Sequence, residues 1–154
     1  MAGNSKKSSG KKMPKKNLKY YLIGLLLILL DQATKTLFYE KNYDFGLIAI
    51  TFLRNTGISF GLFQGSNYII AIISVIVLIG LWHYRAEFKG KETWLLLIVS
   101  GIIGNFIDRV LRGYVIDFID LKFWPVFNLA DSYLFIGVIA LIIISIREEY
   151  MKKR

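Results

Sequence analysis

The sequence predicts a helical membrane protein of four transmembrane spans carrying a small extracytoplasmic β-sheet or cradle, with both termini in the cytoplasm. Three observations carry that expectation. Of 154 residues, 55% are hydrophobic and mean hydropathy is +0.48, above the roughly 45–50% apolar content of soluble domains. An ordinary soluble domain of this length cannot hide so much apolar surface. The apolar residues are gathered into four blocks near spanning length, for which about 20 residues are needed. The net charge of +9 is distributed unevenly along the chain. The hydrophobicity is too high for a disordered chain or for a nucleic-acid binder, so no nucleic-acid partner is expected. Cysteine is absent, which removes disulfides, thiolate metal sites and a cysteine nucleophile. His83 is the single histidine, beside Trp82, Tyr84 and Arg85, and reads as a helix-end residue. No metal or cofactor is expected.

Residues 1–17 are rich in Lys, Ser and Gly and read as a basic, disordered cytoplasmic tail, with Met13 a candidate alternative start. Residues 18–146 form a single four-span domain with outer segments 39–67 and 112–129, and residues 147–154 are a cytoplasmic C-terminal tail. The spans run from about Leu18 to Phe38, Tyr68 to Trp82, Thr93 to Leu111 and Ala130 to Ile146. The first is not a cleaved signal peptide, because it lacks a small-x-small cleavage site and continues through Asp31-Gln32-Ala33-Thr34-Lys35. Orientation follows from the cations. Seven lysines precede Tyr20, Arg85, Lys89 and Lys91 lie between spans two and three, and Arg147, Lys152, Lys153 and Arg154 end the chain, so 14 of the 20 basic residues mark one side. Lys and Arg collect in the cytoplasm, and the tail's charge suits anionic membrane lipid. In the outer segments, residues 45–54 and 114–119 read as strands, Asn55-Thr56-Gly57 as a turn, and the stretch to Phe63 either pairs back or lies on the membrane. Phe123, Trp124 and Phe127 suit an interfacial belt.

The acids carry the chemical information. With this topology Asp31, Asp44, Asp108, Asp117, Asp120 and Asp131 all fall on the outer half or outer surface. Ionisable groups in a membrane are costly and mark functional sites. Asp31 and Lys35 share a helix face at i,i+4 and read either as a simple ion pair or as part of a site. Asn105, Asp108 and Arg109 form one polar helical stripe, in which Asp108 and Arg109 neutralise one another or tie the helix to the outer sheet. Asp117 lies between Ile116 and Phe118, and Asp131 opens the fourth span. A surface loop for the first and a helix cap for the second are the plain alternatives. Neither explains why both avoid an adjacent cation. Two carboxylates held at one depth make a dyad in which one stays protonated, giving aspartic-protease chemistry without metal, cysteine or histidine.

The sequence resembles the bacterial lipoprotein signal peptidases, the signal peptidase II family, over roughly residues 20–146. Asp31-Gln32 with Lys35, Asn55 to Gly61, Gly104-Asn105-Phe106-Ile107-Asp108-Arg109 with Gly113 to Phe118, and Phe127 to Ser132 match its four motifs in order. The resemblance implies four spans and an aspartyl endopeptidase that cleaves prolipoproteins just before a diacylglyceryl-modified cysteine. It implies catalytic roles for Asp117 and Asp131, substrate positioning by Asn55, Asn105, Arg109 and Asn128, and support from Asp31, Lys35, Gly57 and Asp108. It also implies a site on the outer face of the bacterial inner membrane, and binding of globomycin-type inhibitors. Ser100-Gly101 departs mildly from a glycine pair common in the family. The apolar Phe60-Gly61-Leu62-Phe63 is a candidate cover over bound substrate. A proton-coupled carrier using the same acids is the alternative; its polar groups should cross the whole membrane and arise from an internal repeat, neither of which is evident.

Overall fold

The computed structural model describes residues 15–58 and 62–154, with side chains from Leu18 onward. Four helices appear where the apolar blocks lie: α1 (Lys15–Leu37), α2 (Asn67–His83), α3 (Glu92–Leu111) and α4 (Leu129–Lys152). A short 3-10 turn, Arg85–Phe88, follows α2. Leu18–Leu37, α3 and α4 are long and apolar enough to cross a membrane, whereas α2 is apolar but has 17 residues. Helix α1 begins inside the expected N-terminal tail, at Lys15; the rest of that expectation lies outside the described residues. Helix α4 runs six residues past Ile146, where Glu148 meets Lys91 and Glu149 meets Lys153. His83 closes α2 with its ring edge against Tyr84.

The polarity of the molecule is inverted relative to a soluble protein. Leu22, Leu25, Leu26 and Leu29 of α1 and Tyr68, Ile69, Ile72, Ile76 and Ile79 of α2 are exposed, while Asp31, Lys35, Asp108 and Asn128 are fully buried. An apolar exterior this extensive suits hydrocarbon rather than water. Helix α3 packs against each of the other three helices, so the polar face it carries becomes the centre of the bundle. Close approach there depends on Gly104: a Cβ at this position would lie 2.7 Å from Asp31 Oδ2 and 3.1 Å from Ala130 Cβ. Small residues at crossings let backbones come together in this way.

Above one end of the bundle lies a three-stranded antiparallel sheet in the order β1 (Asn42–Asp44), β2 (Ala49–Asn55), β3 (Val115–Asp120). Two strand expectations change. The stretch 45–48 is a turn rather than strand, because Gly46 sits at φ +91° and the Asp44 side chain accepts its N–H at 2.8 Å. Strand β1, which no alternating pattern announced, is fully exposed and pairs with β2. β2 and β3 otherwise occupy the expected segments, with an irregular register between Ile50 and Leu53. Along β3, Val115, Ile116, Asp117 and Phe118 are all buried, so the strand is covered on both faces. Phe118 stacks on Phe38 at 5.0 Å, which fixes the sheet to the exit of α1. Past β2, residues 62–65 turn back, with Ile58 N–H donating to Leu62 O at 2.9 Å. Of the candidate cover, Phe60 and Gly61 lie outside the described residues.

Candidate active site

The polar residues singled out in the sequence converge where the C-terminal ends of α1 and α3, strand β3 and the start of α4 meet. Asn128 is the N-cap of α4; its Oδ1 accepts Asp131 N–H at 2.9 Å while Asp131 Oδ2 accepts the Asn128 N–H at 3.3 Å. This reciprocal capping box fixes Asp131 in the first turn, where the helix dipole also favours an anion. So Asp131 does belong to a helix cap. It also does something a cap does not require: its Oδ1 accepts Asn105 Nδ2 at 2.7 Å across the bundle. Asp131 further contributes to the wall of an apolar groove of about 720 Å³, formed with Phe123, Trp124, Phe127, Phe135 and Ile139 among others.

Asp117 is not in a surface loop. It is 1% exposed in the middle of β3, with Asn55 Nδ2 donating to Oδ2 at 2.8 Å and Asn128 Nδ2 donating to Oδ1 at 2.6 Å. Both its oxygens and both oxygens of Asp131 therefore receive N–H donors. Asn128 connects the two carboxylates, donating to Asp117 Oδ1 through its amide nitrogen and to Asp131 Oδ2 through its backbone N–H. Burial pushes the Asp117 carboxyl up to about 7 and the neighbouring Asp131 charge adds to the rise, against the opposing pull of Asn55, Asn128 and Lys35. At neutral pH Asp117 is thus divided between its acid and its base form.

Behind the carboxylates lies a charge cluster. Lys35 Nζ contacts Asp31 Oδ2 at 2.8 Å, Asp108 Oδ2 at 3.0 Å and Asn105 Oδ1 at 2.9 Å. Asp108 also pairs with Arg112 and accepts Ile116 N–H at 3.3 Å. Asp31 Oδ1 accepts the Ala130 N–H at 2.9 Å, so α1 satisfies one of the otherwise unpaired donors opening α4. Of the two readings of the helical stripe, mutual neutralisation of Asp108 and Arg109 is not seen, since Lys35 and Arg112 pair with Asp108, whereas a tie to the sheet is, through the Ile116 N–H. Arg109 Nη2 instead donates to Gly57 O at 3.0 Å, tying α3 to the turn after β2. Gly57 is held by the Asn55 side chain accepting its N–H at 2.9 Å, and a Cβ there would come within 2.3 Å of Leu62 O.

Arg112 and Asn67 were not singled out in the sequence, and Gln32 entered only as a member of the first motif. Gln32 donates to Gly104 O at 3.1 Å and accepts from Arg112 at 3.1 Å; Asn67 Nδ2 donates to Arg109 O at 3.0 Å. The spacing of Arg112 four residues after Asp108 was a readable signal for the ion pair between them. Among the described residues, no group of three or more His, Cys, Asp and Glu side chains is arranged to hold a metal ion.

An apolar surface enclosing paired carboxylates defines a helical membrane protein with a buried acidic centre. Known proteins make the class narrower. Residues 23–147 match the family Signal peptidase (SPase) II. The chain is 39% identical over 133 residues to a lipoprotein signal peptidase of Halothermothrix orenii, covering 80% of this chain and 92% of that one. It is 38% identical over 151 residues to one of Halalkalibacterium halodurans, covering 88% and 96%. A solved bacterial membrane enzyme superposes with a TM-score of 0.79 at 34% identity, covering 88% of this chain and 92% of that one. The chain belongs to the signal peptidase II family and is therefore a membrane-bound peptidase.

Proposed function

We propose that this protein is an aspartyl endopeptidase that removes signal peptides from prolipoproteins just before the diacylglyceryl-modified cysteine. The relatives' name, lipoprotein signal peptidase, supports the substrate class. The observation that carries the catalytic reading is the linkage of the Asp117 and Asp131 carboxylates through Asn128, whose side-chain amide donates to the first and whose backbone N–H donates to the second. In this reading the pair shares one proton. The ionised carboxylate takes a proton from water as it attacks the scissile carbonyl, and the protonated one donates to the carbonyl oxygen. Asn55, Asn105 and Asn128 orient the two acids, while Arg109 holds the Gly57 turn beside them. Asp31, Lys35 and Asp108 brace the site from below.

In the same reading all four helices span the bacterial cytoplasmic membrane, both termini are cytoplasmic, and the sheet and carboxylates face outward. The apolar groove reaching Asp131 suits a substrate whose cleavage site adjoins acyl chains, and the exposed apolar helices suit surrounding lipid. Globomycin-type inhibitors would occupy the same site. The proton-coupled carrier is not favoured, because the relatives are peptidases.

Purified protein in detergent or nanodiscs should cleave a diacylglyceryl-modified prolipoprotein, with EDTA without effect. Asp117→Asn and Asp131→Asn should each abolish cleavage while the protein remains folded. Full activity in either variant would sink the dyad.

A further inference from the structure

We propose that Lys35 is a positioning residue that acts through Asn105, holding its amide with the oxygen inward so that the N–H is delivered to Asp131. The inference rests on the dyad reading above and concerns how the dyad is oriented. An asparagine amide has two similar ends, and either could in principle face a carboxylate. Only the N–H end supports an ionised one.

What fixes the choice here is a chain of hydrogen bonds that runs in one direction. Lys35 is fully buried and its ammonium can only donate; its three protons meet Asp31 Oδ2, Asp108 Oδ2 and Asn105 Oδ1. The oxygen of Asn105 must therefore face Lys35, which turns its Nδ2 to Asp131 Oδ1 at 2.7 Å. At the other end, the backbone N–H of Asp131 can likewise only donate, to Asn128 Oδ1. That turns Asn128 Nδ2 to Asn105 Oδ1 at 3.1 Å and to Asp117 Oδ1 at 2.6 Å. Two groups that cannot reverse, an ammonium and a peptide N–H, thus set both asparagines. Lys35 supplies the charge-assisted member, the stronger kind of donor. Simple neutralisation of Asp31 and Asp108 would not require the third contact.

The test must separate this role from loss of a buried cation. Lys35→Met is therefore made together with Asp31→Asn, which keeps the net charge of the cluster at its wild-type value, and the double variant is compared with wild type as well as with Asp31→Asn alone. On a diacylglyceryl-modified prolipoprotein, adding Lys35→Met should lower kcat roughly ten- to a hundredfold, the loss expected for one hydrogen bond in a charged network. KM should stay within about twofold, because ground-state binding is untouched. In an Asn105→Ala background the same substitution should cost less than about threefold. A second readout needs no activity: the Asn105 side-chain ¹⁵N–¹H signals, identified by their loss in Asn105→Ala. Their solvent exchange should quicken at least about tenfold in the doubly substituted protein relative to both wild type and Asp31→Asn. Unchanged exchange, or an equal kcat cost with and without Asn105, overturns the positioning role. If wild type fails to cleave the prolipoprotein, the proposed function falls, and the exchange measurement still decides the role of Lys35.

Discussion

Asp117→Asn separates what this carboxyl does for chemistry from what it costs the fold. Its acid form persists to about pH 7 instead of its ordinary 3.8. The folded state therefore binds a proton that the unfolded chain releases, and stability falls as pH rises from about 4 to about 7. At about 1.4 kcal/mol per unit of pH, the ionised group weighs up to about 4 kcal/mol against folding above pH 7. Asparagine removes that charge. It also turns an NH2 toward either Asn55 or Asn128, both of which donate to Asp117, and loses one hydrogen bond at a cost of about 1–3 kcal/mol. The variant should therefore be more stable than wild type by about 1–3 kcal/mol at pH 8, with the advantage gone or reversed at pH 5. Thermal unfolding in one detergent at both pH values, alongside prolipoprotein cleavage, checks this. Activity should fall by about 10³-fold or more. A stability difference that is the same at pH 5 and pH 8 would refute the buried, proton-holding carboxyl, and activity within tenfold of wild type would refute its part in the dyad.

Four further outcomes follow from the same geometry. As pH rises through about 7 Asp117 loses its proton, so under the proposed mechanism kcat/KM should decline on that side. Asn55 stabilises the Asp117 anion, so Asn55→Ala should move the alkaline limb of the profile to higher pH; a shift to lower pH would contradict the contact. Gly104→Ala would press a methyl group onto Asp31 and Ala130, and should destabilise the bundle by about 1–3 kcal/mol in thermal unfolding. Asp108→Ala would strip Lys35 and Arg112 of a shared partner and should cost about 3–5 kcal/mol, seen as loss of folded protein in size-exclusion chromatography.

The helices were legible because a bilayer imposes a length and an apolar content that local sequence displays directly. Asp117 and Asp131 were legible for the opposite reason: each is an acid among apolar neighbours with no cation beside it. The sheet was only partly readable. β2 and β3 carry branched residues, but β1 is three exposed residues whose strand geometry comes from pairing with β2. The turn at 45–48 resembles strand in composition, and only Asp44 with Gly46 at positive φ makes it otherwise. Of the two sequence readings of Asp108, the tie to the sheet is seen in its bond to the Ile116 N–H; its cations are Lys35 and Arg112 rather than Arg109, because side chains four apart share a helix face whereas adjacent ones do not. Arg109, one residue on, reaches a loop 52 positions earlier, a contact with no local signature.

The inverted polarity of the bundle has a consequence for how the protein can change. In hydrocarbon, burying leucine gains a helix pair little, so hydrogen bonds and close backbone contact must hold the helices together. Here those bonds are made by the same asparagines, aspartates and lysine that surround the two carboxylates. A ligand resting on that network meets a surface the chain cannot redecorate freely: a substitution that spoils the ligand's footing also loosens the joints between helices. Room for escape by mutation lies instead at the groove's outer rim, where Phe123 is exposed and a side chain can change without disturbing the interior.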